Sequence, residues 1–356
     1  MLPLAGYFEN MMKLIRPSAE RQRLADTLPD EVRGHLEKSD RLMTVSGAPV
    51  TRLAGSYGRK TGQGDIHDVD LLVFVDASYE SQAPEVVLDD LADALTELEV
   101  DGYGKGEVKT NRKNRRSHHV EFKKDGAKAF HIDCVPVVRW GDDPDAVLRI
   151  PDREWVAWDD TQPLGYATSL IEMNGANERK VKRTIRMFKR IRERHLRHSL
   201  KRPKSYWLEA KLYDIWKAGR MSKDWSYADL MYRLLTEFRA DCAIYSTRLP
   251  IYDPCLGRDL TTTWEQAEYD EFVDMLDTVI GHLDPIANEG DAETAVGAWQ
   301  RVFGSDVFRL SNESQGKADE AKALAGNAKV TAGGLLIPRS NPTPGIPSQP
   351  HHFFGD

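Results

Sequence analysis

The stretch Gly55-Ser56-Tyr57-Gly58-Arg59-Lys60-Thr61, followed by Asp68-Val69-Asp70 at the head of an apolar run to Val75, decides how the chain is read. In an extended strand alternate side chains face the same way, so Asp68 and Asp70 project together. Two adjacent carboxylates repel unless a cation sits between them, which is what a hard-metal site supplies. The glycine and serine upstream let backbone amides and a hydroxyl approach phosphate closely. A third carboxylate is expected from a neighbouring strand. Asp133, within Phe130-His131-Ile132-Asp133-Cys134-Val135-Pro136, stands in a strand of the right kind. Asp65 does not suit the same strand face as Asp68 and reads as loop. An Asp-x-Asp pair alone is common in turns and on surfaces; the Gly-Ser before it, the strand after it and the later single aspartate make the pattern specific. Asp68, Asp70 and Asp133 are therefore both the candidate catalytic residues and the candidate metal ligands.

Three carboxylates so placed can hold two Mg²⁺ ions about 3.5–4 Å apart, with Mn²⁺ as a substitute, and drive an in-line displacement at phosphorus. In that reading no side chain is the nucleophile; the substrate's ribose hydroxyl is.

Outward from this stretch the pattern alternates. Leu24, Leu28, Val32 and Leu36 predict an amphipathic helix over 18–38, with Ser18 as its N-cap. Residues 84–98 read as helix again. His118–Phe122 and Ala129–Val138 read as two strands of a hairpin, joined through Asp125-Gly126, where the glycine supplies the positive φ of a tight turn. From about 160 the chain is helical: Val181, Ile185, Phe188 and Ile191 mark one face of a long helix, and Trp207–Trp216, Tyr227–Phe238 and Trp264–Leu283 supply others. Residues 331–356, rich in proline, glycine and serine, predict a mobile tail.

The bulk numbers bound the class. At 356 residues the chain has room for two packed domains, and 40 % hydrophobic with 29 % charged residues is a globular balance. No apolar run reaches the roughly 20 residues of a membrane helix. The N-terminus carries no secretory pattern, and the three cysteines (Cys134, Cys242, Cys255) show no metal spacing, so a reduced cytoplasm is expected. A net charge of −7 argues against a general nucleic-acid coat protein.

The motifs resemble those of the bacterial CD-NTases, the cyclic-oligonucleotide synthases related to animal cyclic GMP-AMP synthase and oligoadenylate synthase. The resemblance is carried by Gly55-Ser56, Arg59-x-Thr61, Asp68-x-Asp70 and Ile132-Asp133-x-Val135-Pro136. It continues through Ile185-Arg186-Met187-Phe188-Lys189, Lys204-Ser205-Tyr206-x-Leu208-Glu209, Ile251-Tyr252-Asp253-Pro254 with Trp264, and Ala298-Trp299-x-x-Val302-Phe303-Gly304. It thus spans roughly residues 15–310; the stretch Gly62–His67 between motifs is less typical of the family.

The resemblance implies an α+β fold: a polymerase-β-like nucleotidyltransferase core, a mixed sheet with flanking helices, packed against a C-terminal helical domain. The boundaries expected are 1–160 for the core with an N-terminal spine helix, 161–310 for the helical domain, and 311–356 for a flexible tail. It implies nucleotide binding by Gly55, Ser56, Arg59, Arg186, Lys189 and Ser205. Lys182, Arg186 and Lys189 are spaced to share one helix edge, where cations could hold a triphosphate while Ser205 donates to it.

Other features read more blandly. The run from Lys109 through Arg112, Lys113, Arg115 and Arg116 is either a guide for an acceptor nucleotide or activating ligand, or a charged loop beside an edge strand. His118-His119 reads as strand-end surface, and His131 joins no zinc pattern. Tyr103, Trp140 and Trp158 are candidate base-stacking residues, although single aromatics more often belong to cores.

The function implied is a metal-dependent enzyme that joins ribonucleoside triphosphates, ATP expected among them, into a cyclic di- or trinucleotide for antiphage signalling. The alternatives are a linear oligoadenylate synthase, a tRNA-end nucleotidyltransferase, or a non-catalytic nucleotide-binding protein. Expected partners are a cyclic-nucleotide-activated effector and an operon-encoded ubiquitin-transfer-like enzyme acting on the C-terminus, with no membrane.

Overall fold

The computed structural model describes residues 1–45, 49–64, 66, 68–104, 106–111, 114–124, 126–139, 146–196, 203–288, 290–312 and 314–317, with short backbone runs at 328–330, 336–338 and 346–347. The chain opens with α1 (Ala5–Leu14) and α2 (Ala19–Leu36). Ser18 caps α2 by accepting from the Arg21 amide, as its sequence predicts. There follow β1 (Thr51–Leu53), the one-turn α3 (Gly55–Gly58), β2 (Asp68–Val75), α4 (Pro84–Thr96), β3 (Val108–Asn111), β4 (His118–Phe122) and β5 (Phe130–Arg139). A second hairpin, β6 (Leu148–Asp152) and β7 (Ala157–Thr161), closes the sheet half.

The sheet runs β1-β2-β5-β4-β3, with β6 joined to the end of β5 and β7 to β6. Only the β2–β5 pairing is parallel; the others are antiparallel, so the sheet is mixed. Strand alternation sorts it into two faces. Val69, Leu71, Val73 and Val75 of β2, Val120 and Phe122 of β4, and Ile132 and Cys134 of β5 pack under α2 and α4. The intervening residues, including all three candidate aspartates, lie on the opposite face. Arg21 pins α2 to the start of β5, donating from its guanidinium to the carbonyls of Ala129 (2.9 Å) and Lys128 (3.0 Å).

The helical half comprises α5 (Pro163–Ala176), α6 (Lys180–His195), α7 (Ser205–Lys217), α8 (Tyr227–Ala243), α9 (Gln266–Leu283) and α10 (Ala292–Phe303). Val181, Ile185, Phe188 and Ile191 are wholly buried, as their spacing predicts. The division of the chain differs from the expected boundary in one respect. Phe8, Met11, Met12 and Ile15 of the α1 region enter the helical core, where the Phe8 ring meets Trp299 at 5.2 Å and Phe308 at 5.1 Å between centroids. The helical domain is therefore built from both ends of the chain.

Most of the tail lies outside the described residues. Within it, β8 (Ala328–Val330), β9 (Leu336–Pro338) and β10 (Ile346–Pro347) pair antiparallel in the order β10-β8-β9. This departs from an unpatterned tail; the strands coincide with short apolar or β-branched runs separated by glycine and proline.

Candidate active site

Gly55 opens α3 with φ +59°, and a Cβ placed on it would lie 1.7 Å from Oδ2 of Asp70. The position accepts only glycine because the backbone rests directly on the carboxylate. The Ala54 amide donates to the Asp70 carbonyl at 2.9 Å, tying the loop to β2, and the amides of Thr61 and Gly62 fold back onto the Ser56 carbonyl at 2.9 and 3.2 Å.

Across the parallel pairing Asp70 lies opposite Asp133, with Asp68 two positions along on the same face. Burial raises the Asp70 carboxyl to about 6, helped by the like charges of Asp133 and Asp68. Among the described residues no group of three or more histidine, cysteine, aspartate or glutamate side chains converges closely enough to hold a metal ion as it stands. The donor chemistry nevertheless fits a hard divalent cation: three carboxylates share a face, and their mutual repulsion is what such an ion relieves.

A cavity of about 680 Å³ separates this face from the helical half. Gly55, Ser56, Asp68 and Asp70 line one wall, and Arg192, Lys204, Ser205 and Tyr206 the other. Ser205, the first residue of α7, accepts from Arg192 Nη1 at 3.0 Å.

The expected cations separate. Arg59 and Lys189 line the cavity but share one carboxylate, that of Glu209, which is fully buried on α7. Arg59 donates to it from Nε (2.9 Å) and Nη2 (3.1 Å), Lys189 from Nζ (2.6 Å). Burial pushes the Glu209 carboxyl up, but Lys189 and Arg59 outweigh it and hold the group at about 2. The Arg59 guanidinium also lies 5.4 Å from the ring centres of Tyr166 and Tyr206. Arg186 is not among the residues that line the cavity. It sits beside Arg16 and Arg183, and burial together with those charges pulls its pKa down.

Sequence reasoning gave no role to the lining groups Arg192, Arg258, Tyr206 and Trp207, and named Arg116 only as part of a basic run. Arg116 bridges Asp152 and Asp159 at 2.7 and 2.9 Å, and Arg258 reaches Asp159 at 2.8 Å. Arg115 also binds Asp152, so this end of the basic run braces the β6–β7 hairpin; Arg112 and Lys113 lie outside the described residues. Tyr206 and Trp207 are the aromatic rings among the cavity's lining residues. Tyr103 instead packs on Phe122, and Trp158 donates to the Gln82 carbonyl; Trp140 and Asp65 lie outside the described residues.

The reading of His118-His119 as surface is corrected. His118 is completely buried because it points to the helix-covered face of β4. His119, on the other face, hydrogen-bonds Asp133.

A family profile for the Second Messenger Oligonucleotide or Dinucleotide Synthetase domain matches residues 2–174, which include all three aspartates. No curated protein sequence matches the chain. Solved structures do. Escherichia coli MS115-1 CdnC with ATP superposes with TM-score 0.65 at 17 % identity, covering 86 % of this chain and 99 % of that one. Bradyrhizobium diazoefficiens CdnG with GTP gives 0.63 at 16 %, covering 89 % and 98 %. Vibrio cholerae DncV, a cyclic AMP-GMP synthase caught with a linear intermediate, gives 0.59 at 13 %, covering 88 % and 97 %. At these identities the structural likeness is one of fold. Residues 2–174 thus match a nucleotidyltransferase domain of the second-messenger synthetase type, which marks the chain as an enzyme, and the chain as a whole shares the fold of the CD-NTases.

Proposed function

We propose that the enzyme joins ribonucleoside triphosphates into a cyclic di- or trinucleotide, releasing pyrophosphate at each transfer, as the synthase step of bacterial antiphage signalling. One observation carries the reading: Asp70 lies beneath Gly55 with Asp133 as its cross-strand partner, and Asp68 and Asp70 line a cavity whose far wall presents Lys204, Ser205 and Arg192. Mg²⁺ held by Asp68, Asp70 and Asp133 would stabilise charge on the phosphoryl oxygens and favour ionisation of the attacking hydroxyl.

The protein's own groups bind and orient. Gly55 and Ser56 bring backbone and hydroxyl within reach of a triphosphate laid over Asp70. Because the Ser205 oxygen accepts from Arg192, its own hydrogen is free to donate to a phosphate oxygen. Arg59, Lys189 and Glu209 together keep one net positive charge on the wall, so they attract the triphosphate as a unit. The structures of CdnC with ATP and of CdnG with GTP support purine triphosphates as substrates.

Incubation with labelled triphosphates and Mg²⁺, phosphatase treatment and mass spectrometry test the reading. A phosphatase-resistant cyclic product is expected. A linear product instead would favour an oligoadenylate synthase, and no turnover of any triphosphate with Mg²⁺ or Mn²⁺ would overturn the proposal. We also propose that the C-terminus, outside the described residues, is a handle for a ubiquitin-transfer-like enzyme; co-expression giving no higher-mass adduct would count against it.

A further inference from the structure

The polar face of the sheet carries more than carboxylates. The registers of β2, β5 and β4 set its side chains in two rows, Asp68–His131–Glu121 and Asp70–Asp133–His119. His119 is the cross-strand partner of Asp133, with Nδ1 at 2.8 Å from Oδ1. Its other nitrogen, Nε2, lies 2.6 Å from Nδ1 of His131, with the ring centres 4.4 Å apart. With neutral rings one proton arrangement serves both contacts. An ionised carboxylate only accepts, so His119 carries its hydrogen on Nδ1. Its bare Nε2 then accepts from Nδ1–H of His131. The chain runs one way, from His131 through His119 to Asp133.

We infer that His119, backed by His131, is a positioning residue that fixes the Asp133 carboxylate for its cation. This rests on the nucleotidyltransferase reading of the site. The terminal torsion of an aspartate is soft, and the Asp133 side chain is 29 % exposed, so packing alone does not hold it. Asn114, 3.5 Å from the same oxygen, is at the limit of hydrogen bonding, which leaves His119 as the strong contact. Oδ1 is tied on the side away from β2, and Oδ2 remains for the ion. Outer partners of ligating carboxylates typically change metal affinity by about 10–100-fold when removed.

The test is Mn²⁺ affinity of the full chain without nucleotide, followed by calorimetry or electron paramagnetic resonance, alongside Tm. His119→Ala is expected to weaken binding about 10-fold or more. His119→Asn, whose amide nitrogen can replace Nδ1, is expected to stay within about 3-fold of wild type, whereas His119→Gln, whose amide replaces Nε2, is not. Rescue by asparagine alone separates positioning from a bulk structural role, and the Asn–Gln contrast decides the matter even if the alanine variant fails to fold. If His119→Ala binds Mn²⁺ like wild type while Asp133→Asn loses it, the inference is wrong and the active-site reading stands. If Asp133→Asn binds as tightly as wild type, the carboxylate reading fails and takes this inference with it.

Discussion

The two walls of the cavity treat charge in opposite ways. On the sheet wall, among the described residues, no lysine or arginine pairs with Asp68, Asp70 or Asp133, and burial, helped by the neighbouring carboxylates, pushes Asp70 to about 6. On the helical wall a fully buried glutamate is clasped by Arg59 and Lys189 and held at about 2. One wall stores repulsion that a bound cation would relieve; the other pairs its buried carboxylate internally and keeps a single surplus positive charge. Charge left unpaired on a face with a cavity before it marks where a ligand belongs, whereas charge paired across two halves of a chain marks where those halves are joined.

The contrast can be broken most severely at the carboxylates. Asp68→Asn with Asp70→Asn should abolish product, by at least about 10³-fold, while leaving Tm equal or higher because repulsion is removed. A stable double variant that still turns over would show that the sheet wall is not catalytic. Glu209→Ala should do the reverse in kind, acting on stability first. Two buried cations lose their common partner, a change of about 3–5 kcal/mol, read as a large fall in Tm; a shift of less than a degree would mean the triad is not a structural clasp.

The pH dependence of the metal-free protein sharpens the difference. The folded-state pKa of Asp70 is raised, so the native state binds its proton more tightly than the unfolded chain does. Its contribution therefore favours folding as pH falls from about 6 towards 4, and disfavours it above. Asp70→Asn should accordingly be more stable than wild type near neutrality, by on the order of 2–3 kcal/mol, and the two Tm curves should converge towards pH 4. Parallel curves would show that the site does not strain Asp70. The smallest effects belong to single phosphate contacts. Ser205→Ala should raise the triphosphate KM about 3–10-fold, the worth of one hydrogen bond, while Arg186→Ala, away from the cavity, should leave it within about 2-fold. A tenfold rise at Arg186 would put the phosphate site elsewhere on α6.

Much of this was legible in the residues, and the limits have physical causes. Strand alternation alone places Asp68 and Asp70 on one face, and the apolar stripe of α6 follows from its period. The role of Arg59 and Lys189 is not readable locally, because Glu209 lies 150 positions from Arg59 in sequence. His119 needs strand register: a slip of one residue would bring His118 opposite Asp133 and turn His119 into the core. Nothing in His118-His119 by itself fixes that choice. Phe8, Met11, Met12 and Ile15 do repeat at helical spacing, but the surface they cover is formed by residues near the other end of the chain.

That last arrangement bears on how the protein is made. The sheet half is complete once Thr161 has left the ribosome. The helical core cannot close until Trp299, Phe303 and Phe308 arrive to cover Phe8. Until that moment the apolar stripe near the N-terminus has only part of its native cover, Tyr227 among it, and chains that stall or are truncated before α10 expose the rest to one another. The helical wall of the cavity is thus braced from behind only after α10 has been made.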